Sequence, residues 1–150
     1  MESYSKDEKY KTLYNLSAQD PEAFWAEQAG RFVEWMRPWD DVISKTEGKT
    51  HAKWFSGGKL NVASNCLDRH LIKRGNKTAI IWEGDDPADR KQVTYRELYK
   101  EVCKFANVLK SLGVSKGDRV CIYMPNIIET AVAMLSCARL GAVHSVIFGG

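Results

Sequence analysis

The sequence predicts an α/β fold: an irregular N-terminal helical extension over residues 1–59, followed over residues 60–150 by the start of a mostly parallel layered sheet with flanking helices. Three observations predict it. Residues 1–59 hold four of the five tryptophans (Trp25, Trp35, Trp39, Trp54) with little periodicity. The last third reads apolar strand, helix, apolar strand, the order of a parallel crossover unit. Between these regions lies a helix with start and stop signals at both ends.

The composition suits one ordinary globular domain, with 150 residues, 44% hydrophobic and 27% charged. The net charge of +3 is too small to argue for nucleic acid. One basic cluster, Arg69, His70, Lys73, Arg74 and Lys77, is read as a solvated helix end with cations near its C-terminus. The polar opening predicts no secretory signal. The most apolar stretch, Ala131 to Phe148, contains Arg139, which is costly in lipid, so core is expected and no membrane. Cys66, Cys103, Cys121 and Cys137 lie far apart with no CxxC pair. They are read as reduced, mostly buried thiols of a cytoplasmic protein.

Taking the elements in order, Asp20 can cap a helix that has Pro21 at its first position and Glu22 in its first turn. That helix is expected to run toward Trp35 and stop before Pro38. Gly57-Gly58 is expected as a hairpin turn between Lys53–Phe55 and Lys59-Leu60. A helix from about Val62 to Lys73 ends near Gly75. Thr78 to Trp82 forms a strand, Gly84–Pro87 a turn, and Lys91 to Val93 the antiparallel partner. Thr94 and Glu97 make a capping box, with Val93 and Leu98 at staple spacing. Leu98, Val102, Phe105, Leu109 and Leu112 form an apolar stripe, and Gly113 sits where a left-handed cap belongs. Lys116–Asp118 turns into a strand, Arg119–Met124. Asn126 can cap a helix from Ile127 to Leu140 closed by Gly141, and Ala142 to Phe148 is a second strand. Of the residues from 101 to 150, 28 are hydrophobic, so both strands are expected in a parallel sheet covered on both faces. Such a sheet needs a further crossover helix over its last strand, so the fold is expected to be incomplete in this chain.

Several candidate sites fail on their own terms. Gly48-Lys49-Thr50 resembles the tail of a phosphate loop, but Ile43 stands where the first glycine belongs. Asp85, Asp86 and Asp89 crowd a loop without calcium-loop spacing, because Pro87 interrupts them. His51, His70 and His144 share no motif with Cys or Asp, so neither a metal site nor a catalytic triad is expected. Phe148-Gly149-Gly150 survives, because ligands of open α/β sheets sit beyond the carboxyl ends of parallel strands. Two glycines let a ligand approach the backbone, and Phe148 offers a face to a flat ring. The alternative is a tight turn below a core phenylalanine, which the residues alone favour.

Thr94–Leu98, Leu112–Val120, Met124-Pro125-Asn126 with Glu129, and Gly141-Ala142-Val143 resemble the opening of the AMP-forming adenylating enzymes. Phe24-Trp25, Trp54–Asn61, Asn65–His70, Ile81–Asp85 and His144–Gly150 resemble the acetyl-CoA synthetases among them. This resemblance covers nearly the whole chain in order. It implies that residues 1–59 are that group's N-terminal extension and residues 60–150 the first part of its adenylating domain. It implies ATP, coenzyme A and magnesium as cofactors of the full-length enzyme, and acetate or another short-chain carboxylate as substrate. By the same resemblance Phe148, Gly149 and Gly150 contact the nucleotide end of coenzyme A. The phosphate loop, acid pocket and catalytic lysine would follow Gly150 in the remainder of the polypeptide, leaving these residues inactive alone and no catalytic residue among them. A relative acting on propionate or acetoacetate, and a non-catalytic α/β binding module, stay open as alternatives.

Overall fold

The computed structural model describes residues 8–44 and 52–149. Gly48-Lys49-Thr50, His51, Gly150 and the side chain of Phe148 lie outside the described part. The chain divides into two compact units, Met1–Leu60 and Asn61–Gly150.

The first unit holds two helices, α1 (Glu8–Gln19) and α2 (Pro21–Phe32), and two strands, β1 (Asp41–Ser44) and β2 (Lys53–Ser56). Helix α1 lies where the sequence reading expected irregular chain; none of its residues is buried, so it carries no strong apolar stripe to announce it. Helix α2 begins as expected, with the Asp20 carboxylate accepting the Ala23 N–H at 3.0 Å. It ends earlier than expected, because Val33 turns extended and the Trp35 indole N–H folds back onto the Ala29 carbonyl at 3.1 Å. That carbonyl also accepts the Val33 N–H at 3.1 Å, so two donors close the helix end on it.

The turn expected at Gly57-Gly58 exists, with Gly57 at φ 78° and the Gly58 N–H bonded to the Phe55 carbonyl at 3.1 Å. It does not close a local hairpin. Strand β2 pairs antiparallel with β1 (Ile43 opposite Trp54), and Lys59 bridges to Arg37. The aromatic rings decide this pairing. Phe55 lies 5.5 Å from Trp35, 5.3 Å from Trp39 and 6.1 Å from Trp54, ring centroid to ring centroid. Such a cluster forms only if residues near 37 and 55 come together.

The second unit opens with a broken helix: α3 (Val62–Cys66), a 3₁₀ turn (Asp68–His70) and α4 (Leu71–Arg74). The continuous helix expected there breaks at Leu67, whose ψ of −63° comes with a φ of −121°. Leu67 is 1% exposed, and its burial takes precedence over helical continuity. Strands β3 (Thr78–Glu83) and β4 (Arg90–Thr94) then form the expected antiparallel pair.

Helix α5 (Tyr95–Ser111) starts at the expected capping box. The Glu97 N–H donates to the Thr94 hydroxyl at 3.2 Å, and the Thr94 N–H donates to the Glu97 carboxylate at 2.8 Å. The Thr94 N–H and, at 2.7 Å, the Thr94 hydroxyl both donate to the Glu97 carboxylate and hold its carboxyl below the ordinary value. The buried stripe of α5 is Leu98, Val102, Ala106 and Leu109, which keeps three of the five expected positions; the expected Phe105 and Leu112 are 37% and 74% exposed. The reason lies in the neighbouring helix, α6 (Ile128–Leu140), whose buried face is Val132, Ala133, Ser136 and Cys137. Small residues on both helices permit close approach, and the single hydroxyl proton of Ser136 is shared between the carbonyls of Val132 (2.7 Å) and Val102 (3.0 Å). Burial pushes the Cys137 thiol up, so it stays protonated.

Strand β5 (Arg119–Met124) pairs in parallel with β6 (Val143–Phe148) from Arg119 opposite Val143 to Met124 opposite Phe148. The register is set at its start. The Gly117 N–H donates to the Gly141 carbonyl at 3.0 Å, and the Val143 N–H to the Asp118 carbonyl at 2.7 Å. Gly117 and Gly141 take φ of 91° and 77°, left-handed geometry that glycine adopts without strain. The Asp118 carboxylate accepts the Ser115 N–H at 2.7 Å and hydroxyl at 2.9 Å, which lowers its pKa. Ile122 faces the helices and is 4% exposed. The other face is not covered as expected: Tyr123, Val143 and Ile147 are 72%, 58% and 47% exposed, because α5 and α6 pack on one side only. Among the described residues, no helix is long and apolar enough to cross a membrane.

One ion pair ties the broken helix to α6. The Arg139 guanidinium makes a fork on Asp68, at 3.1 and 2.6 Å, and lies 5.2 Å from the Tyr99 ring centre. The Asp68 carboxylate keeps Arg139 charged although it is partly buried. Replacing Asp68 by Ala leaves that charge without its acceptor. The expected loss is about 2 kcal/mol of unfolding free energy, read from urea titration, with a smaller loss in the Asp68→Ala/Arg139→Met pair.

Two further outcomes follow from the caps. Thr94→Ala is expected to cost about 1 kcal/mol, measured in the same titration. Glu97 and Asp118 both have folded pKa values below their unfolded ones, so their stabilisation is present at neutral pH and lost as pH falls through the lowered values. The melting temperature is therefore expected to drop between about pH 5 and about pH 3, and less steeply in Glu97→Gln/Asp118→Asn.

Candidate functional site

The carboxyl ends of β5 and β6 bring Met124-Pro125 and Phe148-Gly149 together, and the end of the β3–β4 pair approaches them. A cleft of about 640 Å³ lies there, lined by Trp82–Asp86, Asp89, Pro125–Ile127 and Gly149. Of the three residues singled out by the sequence, Gly149 lines this cleft, Phe148 is placed by its backbone as the last residue of β6, and Gly150 is outside the described part.

Glycine at 149 has a cause within the chain. A Cβ there would stand 2.8 Å from both the carbonyl carbon and the oxygen of Met124, and 3.1 Å from the Pro125 nitrogen. Backbone atoms cannot swing aside, so any side chain at 149 forces the two strand ends apart. Glycine therefore serves the close approach of two backbone segments as well as leaving space toward the cleft.

The far wall is acidic. Asp86 accepts the Ala88 N–H at 2.9 Å, the Gly84 N–H bonds to the Asp89 carbonyl at 2.8 Å, and Glu83 pairs with Arg90 at 2.9 Å. These bonds make the expected solvated turn, and no group of His, Cys, Asp or Glu among the described residues could hold a metal. His70 packs on Tyr95 with ring centroids 5.5 Å apart, and His144 sits on β6; nothing joins the two into a constellation.

Sequence reading missed Trp82. Its indole N–H donates to the carbonyl of Asn126, 44 residues away, at 2.7 Å. The available signal was that Trp82 is the fifth tryptophan, the one outside residues 1–59, and stands two residues before a glycine. Asn126 was expected to cap α6. Instead Ile127 takes the N-cap position with no side-chain bond, the Thr130 hydroxyl donates to the Pro125 carbonyl at 2.7 Å, and the Asn126 carbonyl receives Trp82. A second groove of about 420 Å³, apolar and lined by Phe105, Val108, Met124 and Ile128 among others, lies between α5 and α6.

Residues 67–150 match the AMP-binding enzyme family, and residues 10–66 match the acetyl-coenzyme A synthetase N-terminus. An acetyl-coenzyme A synthetase of Magnetococcus marinus is 60% identical over 144 residues, 96% of this chain and 22% of that protein. Acetyl-coenzyme A synthetase 2 of Pseudomonas aeruginosa is 57% identical over 148 residues, 99% of this chain and 23% of that protein. Among solved structures, the acetoacetyl-CoA synthetase from Streptomyces lividans superposes with a TM-score of 0.84 at 31% identity, over 95% of this chain and 22% of its own. The chain thus spans less than a quarter of the length of these relatives. With a match to the acetyl-coenzyme A synthetase N-terminus over residues 10–66 followed directly by an AMP-binding match over residues 67–150, the chain belongs to the AMP-binding enzyme family.

Proposed function

We propose that these residues serve in an AMP-forming acid–CoA ligase whose acid is acetate. The observation that carries the reading is 57–60% identity to acetyl-coenzyme A synthetases along almost the whole chain, against 31% to the acetoacetyl-CoA synthetase. That contrast favours acetate over a longer or keto acid, and the family match disfavours a non-catalytic binding module. A cytoplasmic location belongs to the same reading, and the four cysteines are free thiols.

The chemistry of such a ligase has two displacements. A carboxylate oxygen attacks the α-phosphorus of ATP and pyrophosphate leaves, which converts a delocalised, unreactive carboxylate into an acyl adenylate. The thiolate of coenzyme A then attacks the acyl carbon, forming the thioester as AMP departs. Magnesium is implied as the companion of ATP. Among the described residues, no group of three or more His, Cys, Asp or Glu side chains is placed to hold it.

In this division of labour residues 1–59 are the N-terminal extension and residues 60–150 the first part of the adenylating domain. Phe148, Gly149 and Gly150 contact the nucleotide end of coenzyme A. The position of Gly149 in a cleft at the carboxyl end of a parallel pair supports this. The second displacement, and not the first, then depends on them.

In the intact ligase, Gly149→Ala is expected to raise KM for coenzyme A about tenfold or more, while exchange of labelled pyrophosphate into ATP with acetate stays unchanged. Loss of exchange together with thioester formation would refute the assignment. Residues 1–150 alone are expected to show neither reaction.

A further inference from the structure

We infer that Trp82 is a positioning residue for the strand end at Gly149, acting through the Pro125–Ile127 loop. This rests on the coenzyme A reading just given.

The linkage has two joints. At the first, the Trp82 indole N–H donates to the Asn126 carbonyl at 2.7 Å, joining the β3–β4 pair to the loop that leaves β5. At the second, that loop meets Gly149 backbone to backbone, at the Met124 carbonyl and the Pro125 nitrogen. No side chain at 149 can absorb a shift, so movement of Pro125-Asn126 is passed on to the turn.

The loop is otherwise held at its near end. The Thr130 hydroxyl and the Ile127 N–H both bond the Pro125 carbonyl, at 2.7 and 2.8 Å. Pro125 has no N–H to add. The Asn126 carbonyl accepts the Trp82 indole N–H.

The ring of Trp82 is itself fixed. It sits opposite Lys91 in the strand pair, with the Lys91 ammonium 5.4 Å from its centre. Gly84 leaves room for it, since a Cβ there would come within 3.1 Å of the ring. Trp82 belongs to neither buried apolar cluster of this unit. Its indole therefore contributes little to the core, and what it does hold is a loop against which Gly149 rests.

The test uses the intact ligase. Trp82→Phe keeps an aromatic ring and removes the donor. KM for coenzyme A is expected to rise about fivefold, the factor that one lost neutral hydrogen bond confers, with kcat and pyrophosphate exchange unchanged. In a Gly149→Ala background the same substitution is expected to add less than it does alone, because both changes act on one turn. If Trp82→Phe does not fold, benzothienylalanine at 82 replaces the indole N–H by sulfur at nearly constant shape and gives the same readout.

The outcomes separate the two ideas. A normal KM for coenzyme A in both Trp82 variants, with a raised one in Gly149→Ala, overturns the positioning role and leaves the coenzyme A reading standing. An unchanged KM in Gly149→Ala removes that reading and the inference with it. A parallel fall in pyrophosphate exchange shows a general structural role for Trp82 and overturns the inference.

Discussion

Parallel pairing of β5 with β6 is the constraint on which the second unit depends. Parallel neighbours cannot be joined by a tight turn, so the connection must travel the length of the strand and back. Helix α6 is matched to that task. Its 13 residues rise about 20 Å, and a six-residue strand spans about 20 Å. Gly141 reverses the chain at the end of the helix, and two backbone bonds between residues 117–118 and 141–143 fix where pairing begins. Six residues later the same register delivers Met124 and Phe148 side by side, which is why the cleft lies where it does.

A crossover helix needs something to lie against, and α5 supplies it. The contact is made of small groups, Ala106 on one helix with Ala133 and Ser136 on the other, and the Ser136 hydroxyl is fully buried with carbonyls from both helices in reach. The Val132 carbonyl belongs to the same helix and keeps the buried hydroxyl satisfied, while the bond to Val102 is the one that links α6 to α5. One turn further on, Asp68 and Arg139 fix the C-terminal end of α6 against the broken helix. Together they make the layer beneath β5 and β6 stiff, so the strand ends are presented in one position.

Much of this unit was legible in the residues because the signals were local and mutually consistent. The capping box at Thr94, the left-handed caps at Gly113 and Gly141 and the two apolar strands each occupy a few adjacent positions, and each agrees with its neighbours. What escaped reading depended on distant partners. The stripe of α5 takes Ala106 in place of Phe105 because of what α6 presents, and spacing alone permits both. The break at Leu67 comes from burial that no local residue announces. In the first unit, β2 pairs with β1 because Trp35, Trp39 and Phe55 cluster, and the Gly57-Gly58 turn by itself suggested a nearer partner. The site followed the same division. Residues at a strand end could be named from the topological rule, whereas Trp82 is tied to the site by a bond spanning 44 positions.

The glycine at 149 illustrates how a structural demand and a proposed ligand contact can fall on one residue. Taken alone, a glycine after a parallel strand suits both a ligand contact and a tight turn. The structure adds a third cause, because the neighbouring strand end occupies the space a side chain would need. Contact between two backbones in that way is rigid, and rigidity is what a binding turn requires if its geometry is to be set before the ligand arrives. The steric demand and the proposed binding role are therefore compatible. They differ in what lies beneath: packing alone would be satisfied by the Met124-Pro125 backbone and leaves the indole bond to Asn126 without a purpose. A strand end that must hold its position gives that bond one, since Thr130 holds the Pro125 carbonyl and Trp82 holds the Asn126 carbonyl next to it.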